Sequence, residues 1–368
     1  MLLRRVTLAL VVLIGMACHP IGLALAFTKP NGGKLTLHRV RIDARTIRSF
    51  TTFGASSNSF GRLKFRGGLV LKSSDPAFGG FSGLEISPDG RNLIAVSDAG
   101  GWLKARINYD EGRLKGLSHA TIGPILALGG RRLRRGRDRD AEAIRIYQGS
   151  FNNGIALVGF ELNERVGLFD LVGGQLKAPR GYLRPPVRLV RNKGIEATAV
   201  IRKGRHEGAV VAFAERSLGP NRHHRGWMWP RAVVDGQVAK ASAVRKGRAQ
   251  RRRRRGLHAL ALTNVGGFDI TDVTGAKDGG LYVLERRFRW SEGVQMRIRR
   301  IKPGAIKPGA VLRGKTLIRV GSGHEIDNME GIAVHVDARG RTVLTLISDN
   351  NFNSFLQRTV LLQFEVPR

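Results

Sequence analysis

The sequence predicts an all-β chain folded as a β-propeller. Three observations carry this. A two-strand element recurs five times along the chain, its turns carry hairpin signals, and glycine is abundant (48 of 368 residues) while long apolar runs are few.

The recurring element opens on a small or acidic residue, forms a short strand and a turn, and closes with a more apolar strand ending on an acid. Its copies are Ser82 to Asp98 (SGLEISPDGRNLIAVSD), Glu142 to Glu161, Glu196 to Glu215, Asp269 to Glu285 and Glu330 to Asp349. The turns contain Asp89-Gly90, Asn153-Gly154, His206-Glu207-Gly208, Asp278-Gly279 and Ala338-Arg339-Gly340. Such pairs favour tight turns because glycine accepts positive φ. Further hairpins are readable at Leu103 to Leu114, Val166 to Leu176 and Trp227 to Val238, the last around Asp235-Gly236. About four strands per repeat describes a propeller blade. The fifth copy ends the chain with Thr359 to Val366, and Phe65 to Lys72 (FRGGLVLK) can return beside it to close the ring. Five blades are counted directly. A sixth, degenerate blade within Phe27 to Gly61, which contains LTLHRVRI (Leu35 to Ile42), stays open.

Residues 1–26 read as a cleaved leader: Arg4 and Arg5, an apolar stretch Val6 to Ala17, and Ala24-Leu25-Ala26 before the cut. Sec and twin-arginine export both fit. Residues 27–368 then form a single propeller domain, exported to the periplasm or outside the cell and expected to be a monomer. Cys18, the sole cysteine, falls within the leader, so neither disulfide nor thiolate chemistry is expected.

The formal net charge is +35, partly concentrated in basic loop insertions near 131–139 and 245–255, the latter with five consecutive arginines (Arg251 to Arg255). Like charges repel, so these runs read first as solvated loops. Their functional reading is attraction to an anionic small molecule, polymer or envelope surface. Nucleic acid is disfavoured by the leader, and zinc-finger spacing and RNA-binding aromatic signatures are absent from the sequence. It also has no G-x-S-x-G elbow, P-loop or H-E-x-x-H.

In a propeller, equivalent ends of the inner strands converge at one channel mouth. The first-strand ring reads Ser82, Glu142, Glu196, Asp269 and Glu330. The second-strand ring reads Asp98, Glu161, Glu215, Glu285 and Asp349. Nine of these ten positions are acidic in a chain with only 28 acids, a placement that solubility does not account for. Converging carboxylates repel unless a cation or arginines lie among them. Oxygen donors such as Asp98, Glu215, Glu285, Asp349 and Asn350 suit Ca2+ or Mg2+ better than Zn2+. Arg106, Arg216 and Arg286 are the arginines placed to neutralise the ring or hold an anionic substrate. His324, Glu325 and Asp327 precede the fifth copy and carry less weight.

The wording of Phe78 to Ile107 (FGGFSGLEISPDGRNLIAVSDAGGWLKARI), Asp140-Ala141-Glu142-Ala143, Lys193-Gly194-Ile195-Glu196-Ala197 and Met329 to Asn353 (MEGIAV…LISDNNFN) resembles the phytase-like family, "esterase-like activity of phytase", over roughly Gly67 to Val366. The resemblance implies an exported propeller that hydrolyses a phosphate or carboxylic ester, assisted by calcium. On this expectation Glu142, Glu196 and Glu330 are catalytic, with one of them accepting the proton of water. A non-catalytic propeller holding an anionic envelope polymer on its basic surface is the alternative, and propellers host both.

Overall fold

A computed structural model describes residues 35–53, 57–134, 136–186, 189, 194–218, 220–240 and 256–367. The leader and the arginine run at 245–255 lie outside them. The first strands are β1 (His38–Arg39), β2 (Asp43–Ile47), β3 (Ser59–Phe60) and β4 (Leu63–Lys72). Blade 1 follows with β5 (Phe81–Ile86), β6 (Asn92–Ser97), β7 (Gly101–Asp110) and β8 (Arg113–Pro124). The short helix α1 (Gly136–Arg139) leads to blade 2, which holds β9 (Ala141–Gly149), β10 (Gly154–Phe160), β11 (Arg165–Val172) and β12 (Gln175–Leu183).

Blade 3 contains β13 (Ile195–Val200), β14 (Val210–Leu218) and β15 (His224–Trp229). After α2 (Arg231–Lys240) it continues with β16 (His258–Leu262). Blade 4 contains β17 (Asp269–Gly275), β18 (Leu281–Arg289) and β19 (Gly293–Ile301). The chain then adds β20 (Val311–Leu312) to the edge of blade 3 and β21 (Lys315–Val320) to blade 4. Blade 5 is β22 (Asn328–Val336), β23 (Thr342–Asp349) and β24 (Thr359–Val366), completed by β4.

The ring closes as the sequence predicts. β24 pairs antiparallel with β4 in the register Thr359 to Leu71 and Leu361 to Leu69. The inner strands β5, β9, β13, β17 and β22 lie each against the next, and β22 against β5. Five apolar clusters fill the five gaps between blades. Leu84 and Ile347 meet between blades 5 and 1, for example, and Leu284 and Leu346 between blades 4 and 5. With every gap filled, the open question of blade number resolves to five. The LTLHRVRI segment contributes only β1, on the outer edge of blade 1, and β2 extends the outer edge of blade 5.

Two local expectations are corrected. Asp235-Gly236 is not a hairpin turn, because it lies inside helix α2. The fourth strand of blade 3 comes after that helix instead. In blade 2 the left-handed residue is Gly149, at φ 78°, and Asn153-Gly154 sits at the exit of a longer loop.

Each inner strand carries a β-bulge near its N-terminal end. The residue skipped by the pairing is Ser82, Glu142, Glu196, Thr271 and Glu330 in blades 1 to 5. Bulges re-aim a side chain and interrupt pairing next to functional sites. The residue after each bulge is Gly83, Ala143, Ala197, Asp272 and Gly331, small in four blades because the inner strands crowd there. A Cβ on Gly83 would stand 2.7 Å from the Ala143 backbone.

Asp272 is the exception. It reaches Arg145 of β9, whose Nη2 donates to Asp272 Oδ1 at 2.5 Å. The same guanidinium donates to the carbonyls of Val273 and Leu84, and the second Asp272 oxygen accepts the Ile332 N–H at 2.9 Å. Both partners are fully buried. This ion pair joins blades 1, 2, 4 and 5 and plugs the channel between its two mouths.

Candidate active site

The bulges gather glutamates at one mouth. Glu142, Glu196 and Glu330 occupy equivalent bulged positions on β9, β13 and β22. The ends of the second strands bring Asp98, Glu161, Glu215, Arg286 and Asp349 beside them. The carboxylate oxygens of Glu161, Glu196 and Glu215 lie within 4.8 Å of one another, as do those of Asp140, Glu142 and Glu161. Glu161 therefore joins two oxygen-donor groups into one acidic floor.

Electrostatics sets these glutamates apart. Burial pushes the Glu142 carboxyl well above its ordinary range, and Asp140, Asp98, Glu161 and Glu330 push it further. Burial does the same to Glu196, with Glu142, Glu161, Glu215 and Glu330 adding to it. Glu330 is pushed up to about 7 by burial, because Arg286 partly offsets the cost. The Arg286 guanidinium lies 3.3 Å from Glu330 and also donates to Asn328 Oδ1. Arg216 grips Asp269 through both carboxylate oxygens, with Nε to Oδ1 at 2.7 Å. The arginines thus pair with Asp269 and Glu330, and Arg286 also lies in the field of Glu196 and Glu215.

Three sequence placements are corrected. Glu285 is not at the mouth. Its carboxylate accepts Arg297 Nε at 2.7 Å and Arg299 Nε at 2.8 Å, all three side chains being buried. The sequence alignment of the fourth copy is off by one on β18, and one residue of slip turns a side chain to the other sheet face. Arg286 holds the ring position instead. Asp269 lies two residues ahead of the bulge, which in blade 4 is Thr271. Arg106 sits opposite Asn92, at the far end of β6 from Asp98, so it does not reach this mouth.

Asn350 and Asp349 shape the rim. Asn350 Oδ1 accepts the N–H groups of Gly80 and Phe352, both at 3.2 Å, and Asp349 Oδ1 accepts Asn351 N–H at 2.7 Å. Asn351 and Phe352 adopt left-handed φ values of 48° and 52°, a strained pair of the kind that clusters at functional sites. Gly80 makes room for them, since a Cβ there would stand 2.4 Å from both Asp98 Oδ1 and the Phe352 ring. Sequence reasoning did not place Asp140 in the ligand set. It lies outside the repeat, and its signal is the two-residue step to Glu142. His324 packs on Phe50, while Glu325 and Asp327 hold Arg358, so none of these three joins the acidic floor. Of the other basic stretch, α1 runs straight into Asp140, and Asp138 accepts Asn163 Nδ2 at 2.7 Å.

A family described as phytase-like, esterase-like activity of phytase, matches residues 76–352, about three quarters of the chain. The chain belongs to the phytase-like family. The match spans all five bulged inner strands and the Asp349-Asn350 rim, so the family segment and the acidic mouth coincide. No curated protein matches the sequence. Among solved structures, the PQQ-bound aldose sugar dehydrogenase of Streptomyces coelicolor aligns over 89% of this chain and 99% of its own, at 11% identity and a TM-score of 0.39. That similarity is too distant to bear on the site. Among the described residues, no helix of this phytase-like chain is long and apolar enough to cross a membrane.

The raised carboxyls give a pH prediction with a definite sign. A carboxyl whose folded pKa exceeds its unfolded value binds protons more tightly when folded, so stability falls as pH rises toward the folded pKa. The neutral histidines His335 and His224 act in the opposite sense, but only below an unfolded pKa of about 6.5. Above about pH 6.5 the raised groups, these glutamates together with Asp272, Glu85 and His38, therefore all lower stability as pH rises. Melting in chelator is expected to occur at lower temperature at the higher pH, and Glu196→Gln is expected to flatten the slope. Calorimetric melting across this range checks both, and a wild-type midpoint that rises with pH contradicts them.

Proposed function

We propose that this phytase-like propeller is an exported hydrolase of anionic esters that works at the acidic mouth with a bound divalent cation. One observation carries the reading: the carboxyls of Glu142 and Glu196 are buried and held well above their ordinary range by acidic neighbours, while arginine ion pairs engage Asp269 and Glu330 beside them. The donor set around them, Asp140, Glu161 and Glu215, is all oxygen and fits Ca2+ or Mg2+. When bound, the cation would polarise the phosphoryl or acyl oxygen of the ester.

The chain's own groups supply the rest. Glu142 or Glu196 accepts the proton of the attacking water, and a carboxyl raised above its ordinary range is the stronger base. Arg286 and Arg216 stand at the edge of the floor, where they orient an anionic substrate, and the surrounding positive charge draws it in. Asn350 and Phe352 hold the rim. The test is turnover of phosphomonoesters, carboxylic esters and lactones by the mature protein. Hydrolysis that stops in chelator and returns with calcium or magnesium is expected. Turnover indifferent to chelator, or none with any class, overturns the reading.

A second reading, a non-catalytic propeller that holds an anionic envelope polymer, is favoured by one observation. A cavity of about 540 Å³ between blades 5 and 1 is lined by Arg48, Lys64, Arg91, Arg113 and Arg339. Salt-sensitive retention on a polyanion without any turnover is the result that selects it.

A further inference from the structure

The channel has a second mouth, at the C-terminal ends of the inner strands. A cavity of about 970 Å³ opens there, lined by residues of all five blades. The Arg145–Asp272 plug divides it from the acidic floor, so the two mouths are chemically separate. Its volume is that of a small-molecule pocket.

Two groups lining this cavity, Glu85 Oε2 and His335 Nδ1, are buried without a hydrogen bond, and of these Glu85 carries the charge. Glu85 of β5 is 5% exposed, and its Oε2 is buried with no hydrogen bond. A buried polar atom left unsatisfied is costly, and a native structure that keeps one usually offers it to something. Arg202 Nη2 is the nearest cation, at 3.9 Å, but it donates to the Ile146 carbonyl at 2.8 Å instead. Burial raises the Glu85 carboxyl above its ordinary range although Arg145 and Arg202 oppose it. Lys277 also lines the cavity and is exposed. Arg300 is occupied by Asp278, with bonds of 2.5 and 2.6 Å. Ile86, Ile146, Phe151 and Val334 supply an apolar side.

We propose that this second mouth binds a small zwitterionic molecule of the amino-acid or short-peptide type, its ammonium on Glu85 and its carboxylate on Arg202 and Lys277. The charge arrangement selects that class. A simple amine would meet Glu85 but also the field of Arg145, Arg202 and Lys277. A simple anion would satisfy Arg202 and Lys277 but stand against Glu85. Opposite charges a few ångströms apart match both, and an apolar side group lies along Ile146 and Phe151. Because the plug separates the mouths, this site is independent of hydrolysis at the acidic floor.

The test is calorimetric titration of the mature protein with L-phenylalanine, L-leucine and Leu-Leu, set against 3-phenylpropionate and phenethylamine, which lack the ammonium or the carboxylate. At least one zwitterion is expected to bind at micromolar to millimolar concentration, and both truncated analogues at least tenfold more weakly. Glu85→Gln, which keeps the shape, and Arg202→Met, at a half-exposed position, are each expected to lose at least tenfold. Both should keep the wild-type melting profile and the wild-type response to calcium. Glu196→Gln is expected to bind the zwitterion as wild type does. No binding by any zwitterion at millimolar concentration, equal binding of the truncated analogues, or full binding by folded Glu85→Gln and Arg202→Met would each overturn the proposal. None of these outcomes touches the assignment of the acidic mouth.

Discussion

Deleting Thr359 to Arg368 is expected to abolish cooperative folding of the whole propeller. β24 stands between β23 and β4, so its loss leaves each with an open edge and breaks the ring between them. It also removes Val360, Leu361, Leu362 and Phe364, each with no exposed surface. Burying such side chains contributes roughly 1.5 to 3 kcal/mol apiece, so the four together approach the entire stability of an ordinary domain. The expected result is loss of the near-ultraviolet dichroism and of a sharp melt. A truncated chain that melts cooperatively at the wild-type temperature would show that β24 does not close the ring.

Arg145→Leu is expected to destabilise the protein by about 3 to 5 kcal/mol, because it strands Asp272 in the channel without its cation. Removing both charges with Arg145→Leu and Asp272→Leu is expected to recover only part of the loss. Asp272 no longer troubles the double variant, but the Leu84 and Val273 carbonyls that Arg145 served remain unsatisfied, as does the Ile332 N–H. Denaturant unfolding of the two single variants and the double measures the coupling directly. Strict additivity of the singles would contradict the plug.

How much of this was legible in the sequence depends on which interaction decided each feature. The blades were legible because each inner hairpin repeats its own turn chemistry and its own apolar strand, which are local signals. Ring closure by FRGGLVLK was legible because an unpaired edge at the C-terminus demands a partner. Glu142, Glu196 and Glu330 were legible because they open their repeats in the same way. The fourth blade was misread because its ring positions are Thr271 and Arg286, while the nearby Asp269 and Glu285 imitate the acidic pattern. Only pairing register tells them apart, and register depends on partners distant in sequence. Arg106 failed for the same reason, since its strand was right and its end of the strand was not. The plug was invisible, because Arg145 and Asp272 are 127 residues apart and meet only once the ring is closed. The helix at Asp235-Gly236 shows a turn signal overridden by its surroundings, where Asp235 instead accepts Tyr147 Oη at 2.6 Å.

Glu142 and Glu196, the raised glutamates of the acidic mouth, are the proposed seat of a divalent cation. The direct test is calorimetric titration of calcium into the mature protein and into a Glu142→Gln/Glu196→Gln double variant, in buffers of different ionisation enthalpy. Wild type is expected to bind calcium and to release protons as it does so, since a cation displaces protons from carboxyls held above their ordinary range. A hundredfold excess over the dissociation constant is expected to stabilise it by about 2.7 kcal/mol. The double variant is expected to stay folded, to lose at least tenfold in affinity and to release fewer protons, Glu330 being the raised carboxyl that remains. Wild type that binds no calcium or magnesium at millimolar concentration, or a double variant that binds as wild type does, would contradict the account.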